Sequence, residues 1–114
     1  MVDEFIKKML EAQTVLQLAH WQSKKFSEHE ALGELYSELQ AITDKFVECY
    51  LGVFDSEEAF KKPAEKSIPY IEEQLAWINK HRESITKDSS SLENLIDEMA
   101  LAQMRALYKL KNLG

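Results

Sequence analysis

Turn-forming residues are scarce in this chain of 114 residues, which has three glycines (Gly33, Gly52 and Gly114) and two prolines (Pro63 and Pro69). A β-sandwich or barrel needs such punctuation every ten or so positions, so an all-α fold is what remains. A single cysteine, Cys49, excludes an internal disulfide and any CxxC zinc or redox motif. It reads as a small core or interface residue. No apolar run approaches the ~20 residues of a membrane span and nothing at the start resembles a signal peptide, so a cytoplasmic protein with no membrane partner is expected. Basic residues number 14 against 20 acidic, for a net charge of −6, and the basic doublets Lys7-Lys8, Lys24-Lys25 and Lys61-Lys62 are scattered. That excludes a phosphate-tracking stripe, and nucleic acid is not an expected partner. With no Gly-rich phosphate loop and no GxSxG, nucleophilic catalysis has no candidate.

What is present is helical periodicity. Hydrophobic residues make up 45% and charged residues 30%, the balance of one soluble domain spanning 1–114. From Val2 to His20, the positions Val2, Phe5, Ile6, Met9, Leu10, Leu16 and Ala19 recur at three and four, with Gln13 interrupting. The rhythm breaks over Trp21 to Phe26, and Ser27 with Glu30 forms a capping box for a second helix from about Glu28 to Gly52. Its stripe is Leu32, Tyr36, Leu39, Ile42, Phe46 and Tyr50, with Leu35, Val47 and Leu51 beside it.

From Val53 to Lys66 the stripe disappears. This is read as a connection in which Asp55 or Ser56 caps a short helix carrying Ala59 and Phe60 before Pro63. Ser67 caps the third long helix, with Ile68, Ile71, Leu75, Ile78 and Ile85 as its stripe to about Thr86. After a break at Lys87 to Ser90, Ser90 with Glu93 opens the fourth, carried by Leu92, Leu95, Ile96, Met99, Ala102, Ala106, Leu110 and Leu113. Two short links and one longer middle connection predict a ferritin-like four-helix bundle with its crossover between the second and third helices.

Four residues stand out as metal ligands: His20, His29, Asp44 and Glu48. Imidazole with carboxylate is the donor mixture of iron, manganese and zinc. His20 extends the first stripe at Leu16 plus four, where a plain core-edge histidine is the alternative. Asp44 and Glu48 also read as a solvated acidic face. His81, near the end of the third helix beside Arg82, reads as a cation at a helix C-terminus. His29 and Asp44 lie fifteen residues apart on one helix, roughly 22 Å along its axis, so they cannot hold one ion within a chain. They can meet across a homodimer: if two copies of the second helix pack antiparallel near Tyr36 and Ser37, facing positions sum to about 73 and His29 falls beside Asp44 of the other copy.

The stretch Ala19-His20-Trp21, followed by His29-Glu30, Asp44 and Glu48, resembles the Dps family of ferritin-like mini-ferritins, whose intervals of fifteen and four between the second histidine, Asp and Glu are kept. The resemblance implies a ferroxidase: Fe(II) held by His20 and His29 of one subunit with Asp44 and Glu48 of its two-fold partner. Glu48 would bridge to a second iron, and peroxide or dioxygen would act as oxidant. It also implies that Trp21 shapes the pocket, where simple packing is the alternative. The chain departs from the family in a shorter link between the histidines, in Gly33 where an acidic ligand is common, in a shorter crossover and in having no basic tail. A second expectation, from a different class, is a non-enzymatic helical dimerisation or adaptor module without a working metal site.

Overall fold

Heptad spacing of inward side chains organises the chain into helical hairpins. The computed structural model describes residues 1–54 and 56–113, with the backbone alone at Ser56. Among these residues there are five helices and no strand: α1 (Val2–Gln22), α2 (Phe26–Val53), α3 (Ser56–Ala59), α4 (Ser67–Thr86) and α5 (Ser90–Asn112). The expected all-α class is therefore what the chain adopts. No helix among the described residues is long and apolar enough to cross a membrane. The chain divides into two compact units, Met1–Pro63 and Ala64–Gly114.

In the first unit α1 and α2 pack against each other across the short link at residues 23–25. The inward positions of α1 are Ile6, Met9, Gln13, Leu16 and His20, spaced three and four in strict alternation; those of α2 include Leu32, Tyr36, Leu39, Thr43, Val47 and Tyr50. This 3,4 spacing is the seam of a two-helix coil, in which knobs of one helix enter holes of the other. Ile42 and Phe46, expected in the main stripe, lie beside the seam, 59% and 40% exposed. The single turn of α3 contacts both α1 and α2. Ala59 is buried there, and the Tyr50 hydroxyl donates to Glu58 Oε2 at 2.8 Å.

The second unit pairs α4 with α5 through Ile68, Ile71, Leu75, Ile78 and Arg82 on one helix and Glu93, Ile96, Ala100, Gln103 and Leu107 on the other. Leu92, Leu95 and Met99, expected as core, are 45–57% exposed, because the seam is rotated from the apolar stripe toward the smaller Ala100. The turn between the helices contains no glycine. Lys87 and Asp88 both adopt left-handed conformations, with φ of 50° and 64°. Behind the turn Thr86 is buried, its Oγ1 donating to Glu93 Oε1 at 2.6 Å, and Arg82 bonds to Glu93 and Asp97. Lys111 adds an ion pair with Glu72 at 3.1 Å.

Helix starts differ from the sequence expectation in an instructive way. The α2 N-cap is Lys25 and the α4 N-cap is Lys66, both without a side-chain cap, so neither the Ser27 box nor the Ser67 cap forms. On α5 the cap is Ser89, whose Oγ accepts from the Leu92 N–H at 3.3 Å. Glu93 does not close the expected box with Ser90, because Thr86 and Arg82 hold its carboxylate. An Asp55 cap lies outside the described residues.

Candidate functional site

The link between α1 and α2 is closed by its two histidines. The His20 carbonyl accepts from the Ser23 N–H at 3.4 Å, and the Lys25 carbonyl accepts from the His29 N–H at 2.9 Å. This geometry brings the first turn of α2 against the last turn of α1. The rings of His20 and His29 then stack, with centroids 3.8 Å apart and planes inclined by 21°. Each ring reaches across the pair: His20 Nδ1 lies 2.6 Å from the His29 carbonyl oxygen, and His29 Nδ1 lies 2.9 Å from the His20 carbonyl oxygen.

A carbonyl can only accept, so both Nδ1 atoms carry their protons. In the neutral imidazoles the Nε2 lone pairs are therefore unused by these bonds. Metal-binding histidines are commonly oriented by this kind of Nδ1–H bond to a backbone carbonyl. Gly33, one turn further along α2, makes room for the arrangement. A Cβ at that position would come within 2.8 Å of His20 Cε1. Tyr36 flanks the same ring, at 5.5 Å between centroids.

His20 and His29 are thus brought together, and Asp44 and Glu48 are not brought to them. The two carboxylates stand fifteen and nineteen residues beyond His29 on the same unbroken α2, exposed to solvent. Asp44 lines a cavity within its own hairpin, between α1 and α2. Among the described residues no group of three or more His, Cys, Asp or Glu converges to hold a metal ion. Among the described residues one chain therefore offers a metal the two histidine nitrogens and no third ligand of these types. His81, expected as a cation at a helix end, bonds through Nδ1 to the Trp77 carbonyl at 2.8 Å and stacks on the Trp77 ring. Cys49 is exposed.

Sequence reading missed Thr43 as an inward residue of α2 and treated Gln13 as a mere interruption. Their signal was legible as two polar residues at seam positions. The role of Gly33 was also misplaced: the absent side chain is explained by a ring of the same chain, with no lost ligand to account for.

Residues 20–110 match a family model described as a family of unknown function (DUF5856). A curated relative, an uncharacterized 14.6 kDa protein in the mobD-ri intergenic region of Enterobacteria phage T4, is 38% identical over 50 residues. The match covers 44% of this chain and 39% of that protein. The chain thus spans about two fifths of the length of the curated relative it matches. No solved structure matches.

These findings overturn the resemblance to the Dps family, which neither the family match nor the phage relative supports. The physical reason is that intervals of fifteen and four place three residues within about 100° of one another on any α-helix. The spacing therefore follows from helix geometry as readily as from descent. The chain belongs to the family of unknown function DUF5856.

Proposed function

We propose that this member of the family is a non-enzymatic helical association module. In this reading the apolar flanks of its two hairpins pack as a ferritin-like four-helix bundle, and remaining apolar surface joins a second copy. One observation carries the reading: the first hairpin is apolar on both sides of its seam. On one side Phe5 meets Phe46 edge to face at 5.0 Å, and Leu35 and Ile42 continue that flank. On the other stand Trp21 and Phe26, 64% and 79% exposed, either side of the link. A four-helix bundle covers one flank only. Clustered aromatic side chains on the other are the usual anchors of an interface.

Sedimentation velocity at micromolar concentration tests this directly. The expected result is at least a dimer, and a Trp21→Ser, Phe26→Ser double variant that sediments as a monomer with unchanged helical content. A wild-type chain that stays monomeric throughout the micromolar range overturns the association.

A specific observation favours a second reading, divalent metal binding. The reciprocal bonds of His20 and His29 leave both Nε2 atoms unengaged by the pair. Iron fits this donor type, as do zinc and manganese, and the anionic donors would be Asp44 and Glu48 of a second copy. An anaerobic Fe(II) titration followed by peroxide or air tests it. Expected are saturation per dimer and its loss in His29→Ala and Glu48→Ala at constant helical content; binding that persists in both variants rejects it.

A further inference from the structure

The middle of α5 is apolar on every side. From Met99 to Tyr108 its polar residues are Gln103 and Arg105 alone. Ala100 and Leu107 lie at the seam with α4, Leu92, Leu95 and Met99 run along one flank, and Leu101, Met104 and Tyr108, 51%, 56% and 63% exposed, form the other. A helix that is apolar all round is one enclosed by neighbours. A four-helix bundle of the two hairpins covers one flank only. The leucine stripe, continued by Ala102, Ala106 and Leu110 along the whole helix, suits that contact and leaves Leu101, Met104 and Tyr108 to another.

Charge selects the occupant of that second flank. Glu98 and Arg105 border it on the side away from α4, two turns and roughly 10 Å apart along the axis, too far to pair within one helix. Neither has an opposite charge three or four positions away: Glu98 has Asn94, Leu95, Leu101 and Ala102 there, and Arg105 has Leu101, Ala102, Tyr108 and Lys109. The ion pairs of the second hairpin among the described residues use Arg82 with Glu93 and Asp97, and Lys111 with Glu72. A second copy of α5 supplies what one copy lacks. When two copies pack antiparallel with Leu101 of one opposite Met104 of the other, facing positions sum to about 205. Glu98 then falls within side-chain reach of Arg105 of the second copy, and Arg105 within reach of its Glu98. The same register sets Tyr108 beside Asp97 of the second copy, whose carboxylate can accept from the phenol.

We propose that the Leu101, Met104 and Tyr108 face of α5 is a two-fold contact with α5 of a second copy, closed by two ion pairs between Glu98 and Arg105. This rests on the association reading and goes beyond it, because the contact is separate from that of Trp21 and Phe26. A contact between two single helix faces is small and weak by itself. Chains already joined through Trp21 and Phe26 present two such faces, and engaging both strengthens the contact without any new residue. The assembly therefore holds at least four chains, and a chain without the Trp21 and Phe26 contact stays monomeric at micromolar concentration.

The test is sedimentation velocity of the full chain over the micromolar range. The wild-type chain is expected to exceed a dimer. Glu98→Arg and Arg105→Glu each set like charges opposite one another, and each is expected to weaken assembly beyond the dimer by roughly tenfold or more at unchanged helical content. An equimolar mixture of the two variants restores opposite charges across the two-fold contact and should regain the larger assembly, a rescue that loss of folding would not give. If either variant loses helical content, Tyr108→Ser takes its place, with a dimer expected and an unchanged larger assembly counting against the contact. A wild-type chain that stops at the dimer overturns this contact and leaves the association reading standing, whereas a monomeric one overturns both. Larger assemblies kept by both folded charge variants, or a mixture that stays dimeric, also overturn it.

Discussion

The imidazole of His20 occupies the space where a side chain on residue 33 would be, with Cε1 2.8 Å from the Cβ that Gly33 lacks. A glycine inside a helix ordinarily costs about 1 kcal/mol relative to alanine. Here that cost is offset by the ring it admits, and Gly33→Ala is expected to reverse the usual sign. Overpacking of this kind costs about 1–3 kcal/mol. Urea unfolding of Gly33→Ala, and of the same substitution in a His20→Ala background, checks it: the second should recover the ordinary gain from alanine.

Ser89 and Ser90 are adjacent and chemically identical, yet only Ser89 caps α5. Ser89→Ala is expected to cost about 1 kcal/mol, since an N–H of the first turn loses its acceptor. Ser90→Ala should fall within roughly 0.5 kcal/mol of the parent. Thermal unfolding of the two variants side by side decides between the observed cap and the one the capping-box pattern suggests.

The hydrogen bond from Thr86 and the neighbouring Arg82 guanidinium hold the Glu93 carboxyl below the usual glutamate value of 4.5. A carboxylate depressed in the folded state binds fewer protons there than in the unfolded chain, so its contribution to stability is present above 4.5 and is lost as pH falls through the folded value. Glu93→Gln should therefore flatten the acid side of the stability curve while leaving its shape near neutrality unchanged. Thr86→Val, which removes the larger cause, should move that loss to higher pH. Circular dichroism against urea at a series of pH values between neutral and acid measures both.

Left-handed backbone at Lys87 costs a residue with a Cβ roughly 1–2 kcal/mol, part of which glycine returns through its greater freedom in the unfolded chain. Lys87→Gly is accordingly expected to stabilise the second hairpin by a few tenths to about 1 kcal/mol. A fall in the melting temperature would mean that the lysine side chain contributes there.

Helix positions were legible in the sequence because four amphipathic repeats leave few other foldings for a chain with so little punctuation. The faces were less legible. On α5 the larger side chains Leu92, Leu95 and Met99 dominate the pattern, but the tight Lys87–Asp88 turn and the Thr86–Glu93–Arg82 bonds rotate the helix so that Ile96 and Ala100 meet α4. Caps failed for a related reason: a serine near a helix start is only a candidate, and backbone geometry at the turn picks which residue has extended φ and ψ. At the site, pairing of His20 with His29 follows from the short link. The polar seam positions were missed because Gln13 and Thr43 lie thirty residues apart and come to one groove only once the two helices are aligned.

The histidine pair also bears on chain continuity. Lys24 and Lys25 are exposed in the link, whereas the bonds that close it run between residues 20 and 29 on either side. A protease that cuts after Lys24 would sever the covalent path outside the histidine bonds and the helical seam, whereas a cut after Lys25 would also alter the carbonyl that accepts from the His29 N–H. The cut first hairpin is expected to stay associated as two peptides, and release of the N-terminal peptide on size exclusion after the cut would show that the histidine bonds and the seam do not hold it.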